Sequence, residues 1–353
     1  MRRPALRWLM AVSLGLFVGP ALACPVCAPG AGATAVQAMI DAEAVLIVAL
    51  DPAGWRTVVA VKGVARQVPE AALRAPPGAA PASTWVVALD ALSRRWTVLG
   101  PLAAEHAPWL RRIAATATPS SMDEADWREH VAFHLPWLEH ADPFVAATAY
   151  GEIARAPYAA MRSLAPRLDG RRIERWLDDP ALAHRVPLYA LLLGLAGGPR
   201  AIDWIDRQVR SSAATHDPAH LGALLVADLE LRGPSRVDWI ERTWLAGRGR
   251  AVPELQAALS ALAVQGGADA AVPRARAVDA FRGFVRTGHP LAGSPAPDLL
   301  AWRAWGAVPE YVALLKAGVP QHPASTYAIL SYLDAAPQPE ARAAAAAARA
   351  AGR

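Results

Sequence analysis

Apolar positions come in two dense pairs near the start of the chain and then change period. The runs "AVLIVAL" (44–50) and "WRTVVAV" (55–61) flank Asp51-Pro52-Ala53-Gly54, a turn-forming sequence between segments rich in Val and Ile, and predict a hairpin. The runs "STWVVAL" (83–89) and "RRWTVLG" (94–100) predict a second hairpin around residues 90–93, separated from the first by the Pro- and Ala-rich stretch 68–81. Residues 31–44 ahead of them are helix-compatible. Four short strands predict a small antiparallel sheet or partial barrel that ends near Pro101.

Beyond Pro101 the spacing turns helical and the punctuation repeats. Asp-Pro occurs at Asp142-Pro143, Asp179-Pro180 and Asp217-Pro218, at intervals of 37 and 38 residues, and Val252-Pro253 comes 35 residues later. Asp before Pro suits a helix start, the acid capping free amides and Pro occupying the first turn. A second element recurs in phase: "GPRAIDWIDR" from Gly198 and "GPSRVDWIER" from Gly233, 35 residues apart. Within it Ile202, Ile205 and Val209 map onto Val237, Ile240 and Trp244, one apolar stripe per helix. A 35- to 38-residue period holding two amphipathic helices resembles degenerate HEAT-type repeats, in which each helix pair buries its stripe against its neighbours. The expected fold class is therefore mainly α, a HEAT-like helix-pair solenoid preceded by a small β-rich module. The tail "EARAAAAAARAAGR" reads as a capping helix or a frayed end.

The first residues address the compartment. Arg2-Arg3, the apolar run from Leu9 to Val18 and Ala21-Leu22-Ala23 match the basic, hydrophobic and small-residue regions of a Sec-type signal peptide, with cleavage before Cys24. The apolar run is too short for a stable membrane span, and no later segment reaches the required length. The expected organisation is a signal peptide at 1–23, a β-rich module at 24–101 and an α-helical repeat domain at 102–353. Removing residues 1–23 takes away Arg2, Arg3 and Arg7 and no acid, so the formal charge falls from +5 to +2. That small excess argues against nucleic acid as the partner. Lys occurs only at 62 and 316, Asn is absent, and Ala and Arg abound, a bias of GC-rich bacterial genomes. The expected location is periplasmic or secreted, with lipoprotein attachment disfavoured because Ala21 stands three before the cysteine where a Leu-like residue is needed.

Candidate chemistry begins at Cys24-Pro25-Val26-Cys27. An oxidising compartment favours a local disulfide joining Cys24 and Cys27. Redox exchange would need a helix start packed behind a strand, and no strand precedes Cys24. Thiolates also suit a soft metal such as Cu(I), which stays open as an alternative. A second candidate is "EHVAFHLPWLEH", where His130 and His134 lie one helical turn apart and Glu139 and His140 come beyond Pro136. Val131, rather than Glu, stands after the first His, so the metalloprotease pattern is not met, and the sequence names no distant third ligand. "YGEIARAPY" groups Tyr150, Glu152 and Tyr158 as a candidate polar cluster. The repeat-equivalent pairs Asp203-Trp204 and Asp238-Trp239 are candidates for partner contact on a solenoid face. No phosphate loop, nucleophile elbow or dinucleotide fingerprint occurs, and "GLAGGPR" (194–200) reads as a connection between helices.

The order of parts, with Cys-Pro-x-Cys at the expected mature N-terminus, a strand module carrying "VVAVKG" and then helices, resembles a group of exported bacterial proteins of uncharacterised function. The first part is also similar to the netrin-like modules of metalloproteinase inhibitors, which begin with cysteine and pass into a small OB-like barrel. Those modules use Cys-x-Cys and later cysteines, whereas this chain has Cys24, Cys27 and no third. The resemblances imply architecture; the expected function, from the solenoid shape and the lack of a catalytic constellation, is a non-enzymatic binding or scaffold protein of the envelope, with an unknown protein or envelope partner, no catalytic residue and no cofactor. The alternative is a thiol-redox or soft-metal-handling protein working through Cys24 and Cys27.

Overall fold

The computed structural model describes residues 34–352 except 52–53, 66–67, 70–72, 74–82, 117–123, 248 and 268–269. Cys24, Cys27 and the expected signal peptide lie outside the described residues. The chain is mainly helical, with a four-stranded antiparallel sheet on its N-terminal side.

Helix α1 (Ala35–Asp41) is capped by Thr34, whose hydroxyl accepts from the Gln37 amide. It is shorter than the helix-compatible stretch 31–44, because at Ala42 the chain enters β1 (Ala42–Asp51). The Val- and Ile-rich run from Val45 outweighs local helix propensity there, since its side chains are buried on both faces of a central strand. Strands β2 (Gly54–Lys62), β3 (Thr84–Asp90) and β4 (Trp96–Pro101) complete the sheet in the order β2-β1-β3-β4. The two predicted hairpins therefore join through their first strands, with Ile47 opposite Val86. At the second hairpin the Ser93 amide donates to the Asp90 carboxylate at 2.6 Å, and Arg94 takes a positive φ of 58°.

One sheet face packs Val45, Ile47, Val86 and Ala88 against α1 and α2 (Ala107–Ala115), and this core also takes in Phe144 and Val145. Those two residues belong to α4 (Pro143–Ala154), the next helix after α3 (Glu124–His134). At this seam Gly100 is required: a Cβ there would lie 2.3 Å from the Phe144 ring.

The remaining helices are α5 (Tyr158–Arg162), α6 (Gly170–Leu177), α7 (Val186–Ala196), α8 (Pro199–Thr215), α9 (Leu221–Arg232), α10 (Val237–Ile240), α11 (Val252–Gln265), α12 (Arg274–Arg286), α13 (Ala296–Ala301), α14 (Val308–Lys316), α15 (Pro323–Ala335) and α16 (Pro339–Ala350). Helix α9 packs on both α7 and α11, and one continuous apolar core runs from Trp127 to Ala348. The Asp-Pro signals work as caps to different degrees. Asp142 accepts from the Phe144 and Val145 amides at the start of α4, and Asp179 from Ala181 in a 3-10 turn that leads into α7. Asp217 closes a turn onto the Ala219 amide ahead of α9, whose N-cap is His220. The two "DWI" copies also diverge. The first continues through the 17 residues of α8, whereas the second passes from the four-residue α10 into a π turn at Glu241–Leu245 before Gly247. Ile205, Val209, Ile240 and Trp244 are all buried.

Among the described residues no helix is long and apolar enough to cross a membrane.

Asp298, in the first turn of α13, has its carboxyl pushed up to about 6 by burial. An unfolded Asp titrates near 4, so between about pH 4 and pH 6 the folded chain keeps a proton that the unfolded chain has released. Stability contributed by this site is therefore full below pH 4 and falls as pH rises to 6, by roughly 2 to 3 kcal/mol. Replacing Asp298→Asn should recover that amount in urea melts at pH 7.5 and change nothing at pH 4; equal effects at both pH values would show that the carboxyl is solvated.

Candidate functional site

The seam between the sheet and the helices holds a buried polar cluster. His130 and His134 stand one turn apart on α3, a spacing that puts both rings on one face; their ring centroids are 4.7 Å apart. The next helix presents Glu152 to them. On α4 the positions Val145, Ala149 and Ile153 form an apolar stripe at helical spacing, and Glu152 lies beside it, fully buried at 0 % exposure. His130 and His134 are 5 % and 1 % exposed, so water solvates none of the three side chains appreciably.

A buried carboxylate persists when hydrogen bonds replace its water. His130 Nε2 lies 2.7 Å from Glu152 Oε2, and Arg155 Nε donates to the same oxygen at 2.8 Å. The Thr34 hydroxyl donates to Oε1. Burial alone would push the Glu152 carboxyl up, but the hydrogen bonds from His130, Arg155 and Thr34, with the Arg155 charge, draw it down to about 2. Trp127 frames the cluster, its ring 5.5 Å from His130 in a T-shaped contact and 5.0 Å beneath the Arg155 guanidinium.

His134 differs from its neighbour. Its Nδ1 is buried and has no hydrogen-bond partner among the described residues. Burial is the main force lowering its basicity, to a value of about 3, and the charges of His130 and Arg155 act in the same direction. The ring is neutral, with a lone pair free on one nitrogen. One ligand atom each from His130, His134 and Glu152 can be chosen so that all three lie within 4.8 Å of one another. No other such group of His, Cys, Asp and Glu occurs among the described residues.

Beside the cluster, the described residues bound a cavity of about 690 Å³. His130 and His134 form part of its wall, with Arg112, Arg128 and Arg167 around it and Asp126 and Glu129 as the acidic members. Arg112 lies 4.6 Å over the Phe133 ring, which also lines the cavity.

The structure sends the other sequence candidates elsewhere. Glu139 takes a positive φ of 54° and pairs with Arg185 and Tyr189, away from the two histidines. His140 accepts the Asp142 amide on Nδ1 at 3.0 Å and meets His106 edge-on. Of the "YGEIARAPY" group, only Glu152 joins the cluster. Tyr150 packs on Tyr189, and Tyr158 donates to Glu230 at 3.0 Å. Trp204 and Trp239 are both half-buried against the helical core. Arg236 lies 3.7 Å over the Trp239 ring. Asp203 and Asp238 are exposed, and Asp238 pairs with Arg276 at 2.5 Å. Glu152, which the sequence grouped only with Tyr150 and Tyr158, is the third potential ligand; its signal was an isolated acid in an otherwise apolar helix.

Comparison of the chain with family models, curated proteins and solved structures found no match.

Proposed function

We propose that this chain is an exported, non-enzymatic binding protein of the bacterial envelope that takes a small anionic molecule into the cavity beside His130 and His134. The observation that carries the reading is the cavity itself. Its volume of about 690 Å³ falls in the range of small-ligand sites. Three arginines against two acids give its wall a net positive charge, and Arg112 and Arg167 have planar donors suited to carboxylate or phosphate. The helical part is read as a HEAT-like helix-pair solenoid, which the α7–α9–α11 packing supports, and the strand part as a small OB/netrin-like module.

The test is a calorimetric screen of small organic carboxylates and phosphate esters. At least one should bind the protein, and Ala132→Trp, which fills the cavity from α3, should weaken it at least tenfold. Failure of every compound to bind, or unchanged affinity in the Trp variant, would overturn the reading.

A second reading is a thiol-redox or soft-metal function working through Cys24 and Cys27, which lie outside the described residues and stand ten and seven positions before Thr34 in the sequence. Thiol titration of freshly isolated protein decides it: two rapidly alkylated thiols support this reading, and a closed disulfide resistant to mild reductant removes it.

A further inference from the structure

We propose that His130, His134 and Glu152 are the protein ligands of one divalent transition-metal ion of the Zn2+ and Cu2+ class, with a fourth coordination position open to the cavity. Three independent features converge on this. The ligand atoms lie within 4.8 Å of one another and all three side chains are buried, whereas incidental clusters of acids and histidines sit in water. His134 Nδ1 is a buried nitrogen without a partner among the described residues, on a side chain that lines the cavity. Native interiors pair nearly all buried polar atoms, and a bound ion satisfies an imidazole nitrogen as a hydrogen bond would. The carboxylate is also already oriented from behind, by Thr34 on Oε1 and Arg155 on Oε2, the kind of outer contacts that fix a ligating group.

Tetrahedral bonds of about 2.0 to 2.1 Å place ligand atoms about 3.3 Å apart. His130 Nε2 and Glu152 Oε2 are 2.7 Å apart, so this pair must open by about 0.6 Å as the ion replaces the shared proton, and any pair near the 4.8 Å limit of the group must draw in toward the same separation. Two imidazoles and one carboxylate select borderline metals over Mg2+ and Ca2+, which prefer oxygen alone. Position 131 is a fully buried Val, so the site lacks the glutamate that serves as base in His-Glu-x-x-His proteases, consistent with holding an ion rather than cleaving peptides. Arg155 already balances Glu152, so the loaded centre keeps the charge of the ion. An anionic ligand in the cavity would neutralise that charge and complete the coordination. The inference rests on the cavity as the ligand site, and ion and ligand should each strengthen binding of the other.

The full chain, freed of metal with chelator, is titrated with Zn2+ by calorimetry. One ion per chain should bind. His130→Ala and His134→Ala should each weaken it at least 100-fold, and His140→Ala, outside the cluster, should leave it unchanged. X-ray absorption at the zinc edge of the wild-type protein should show two imidazoles and oxygen without sulfur, a readout that stands even where a variant fails to fold. Affinity in His134→Ala within twofold of wild type, sulfur in the coordination shell, or displacement by equimolar Mg2+ would each overturn the proposal. Zn2+ uptake without any anion binding would sink only the cavity reading; anion binding without Zn2+ uptake would sink only the metal centre.

Discussion

Glu152→Ala, measured in the presence of chelator, should lower the unfolding free energy by about 3 to 5 kcal/mol, the largest loss expected from any single substitution in the helical region. The side chain is fully buried and accepts from three donors, Thr34, His130 and Arg155. Truncation leaves the Arg155 guanidinium, which is only partly exposed, facing an apolar gap over Trp127 with its compensating charge gone. Glu152→Gln should cost less, because the amide oxygen still accepts while the charge is lost. Urea denaturation with a common slope for the three proteins checks this. A loss below about 1 kcal/mol in the Ala variant would mean that water enters the seam and that the cluster is not a closed unit.

The second large effect is expected at Gly194, inside α7. A Cβ at this position would lie 2.8 Å from Ala227 Cβ and 2.9 Å from its Cα, so α7 and α9 approach closely enough that backbone meets backbone. Neither contact is with a flexible side chain, so the two helix backbones would have to move apart at this crossing. Gly194→Val should therefore destabilise by roughly 3 kcal/mol, at the upper end of what core overpacking does. Gly197 and Gly198 make an informative contrast. Both have positive φ and nothing near their Cβ positions, so Ala there meets backbone strain alone. Thermal melts that rank Gly197→Ala as more damaging than Gly194→Val would show that α7 and α9 have room to spare.

The strands were legible because β1, β2 and β3 are dense Val-rich runs and β4 a short apolar one beside turn residues, and the sheet buries β1 on both faces, so propensity and tertiary demand agree. The end of α1 was not legible. Ala42, Glu43 and Ala44 suit a helix locally, and only pairing with β3 makes them strand. The unequal lengths of the two "DWI" helices come from the residues after the shared motif: "QVRSSAAT" continues α8, whereas Gly247 and Gly249 end the second copy. At the site, the facing of His130 and His134 is dictated by the helical repeat alone. Glu152, eighteen residues after His134, could not be paired with them, because helical periodicity fixes faces within one element and says nothing of which neighbour they meet. Glu139, close in sequence and chemically suited, is carried off by a left-handed residue conformation that no short pattern announces.

The Thr34 to Glu152 bond has a kinetic consequence. Its two ends are 118 positions apart, whereas His130 and Glu152 are separated by only 22. On a chain emerging from its N-terminus, the α3–α4 hairpin can close quickly on its own histidine-carboxylate contact, since short loops lose little entropy on closure. The cap residue of α1, synthesised long before, must await that hairpin before its hydroxyl finds an acceptor. The sheet and the helices thus each have a local route to structure, and their shared hydrogen bond forms when the two meet, as a latch that registers completed assembly.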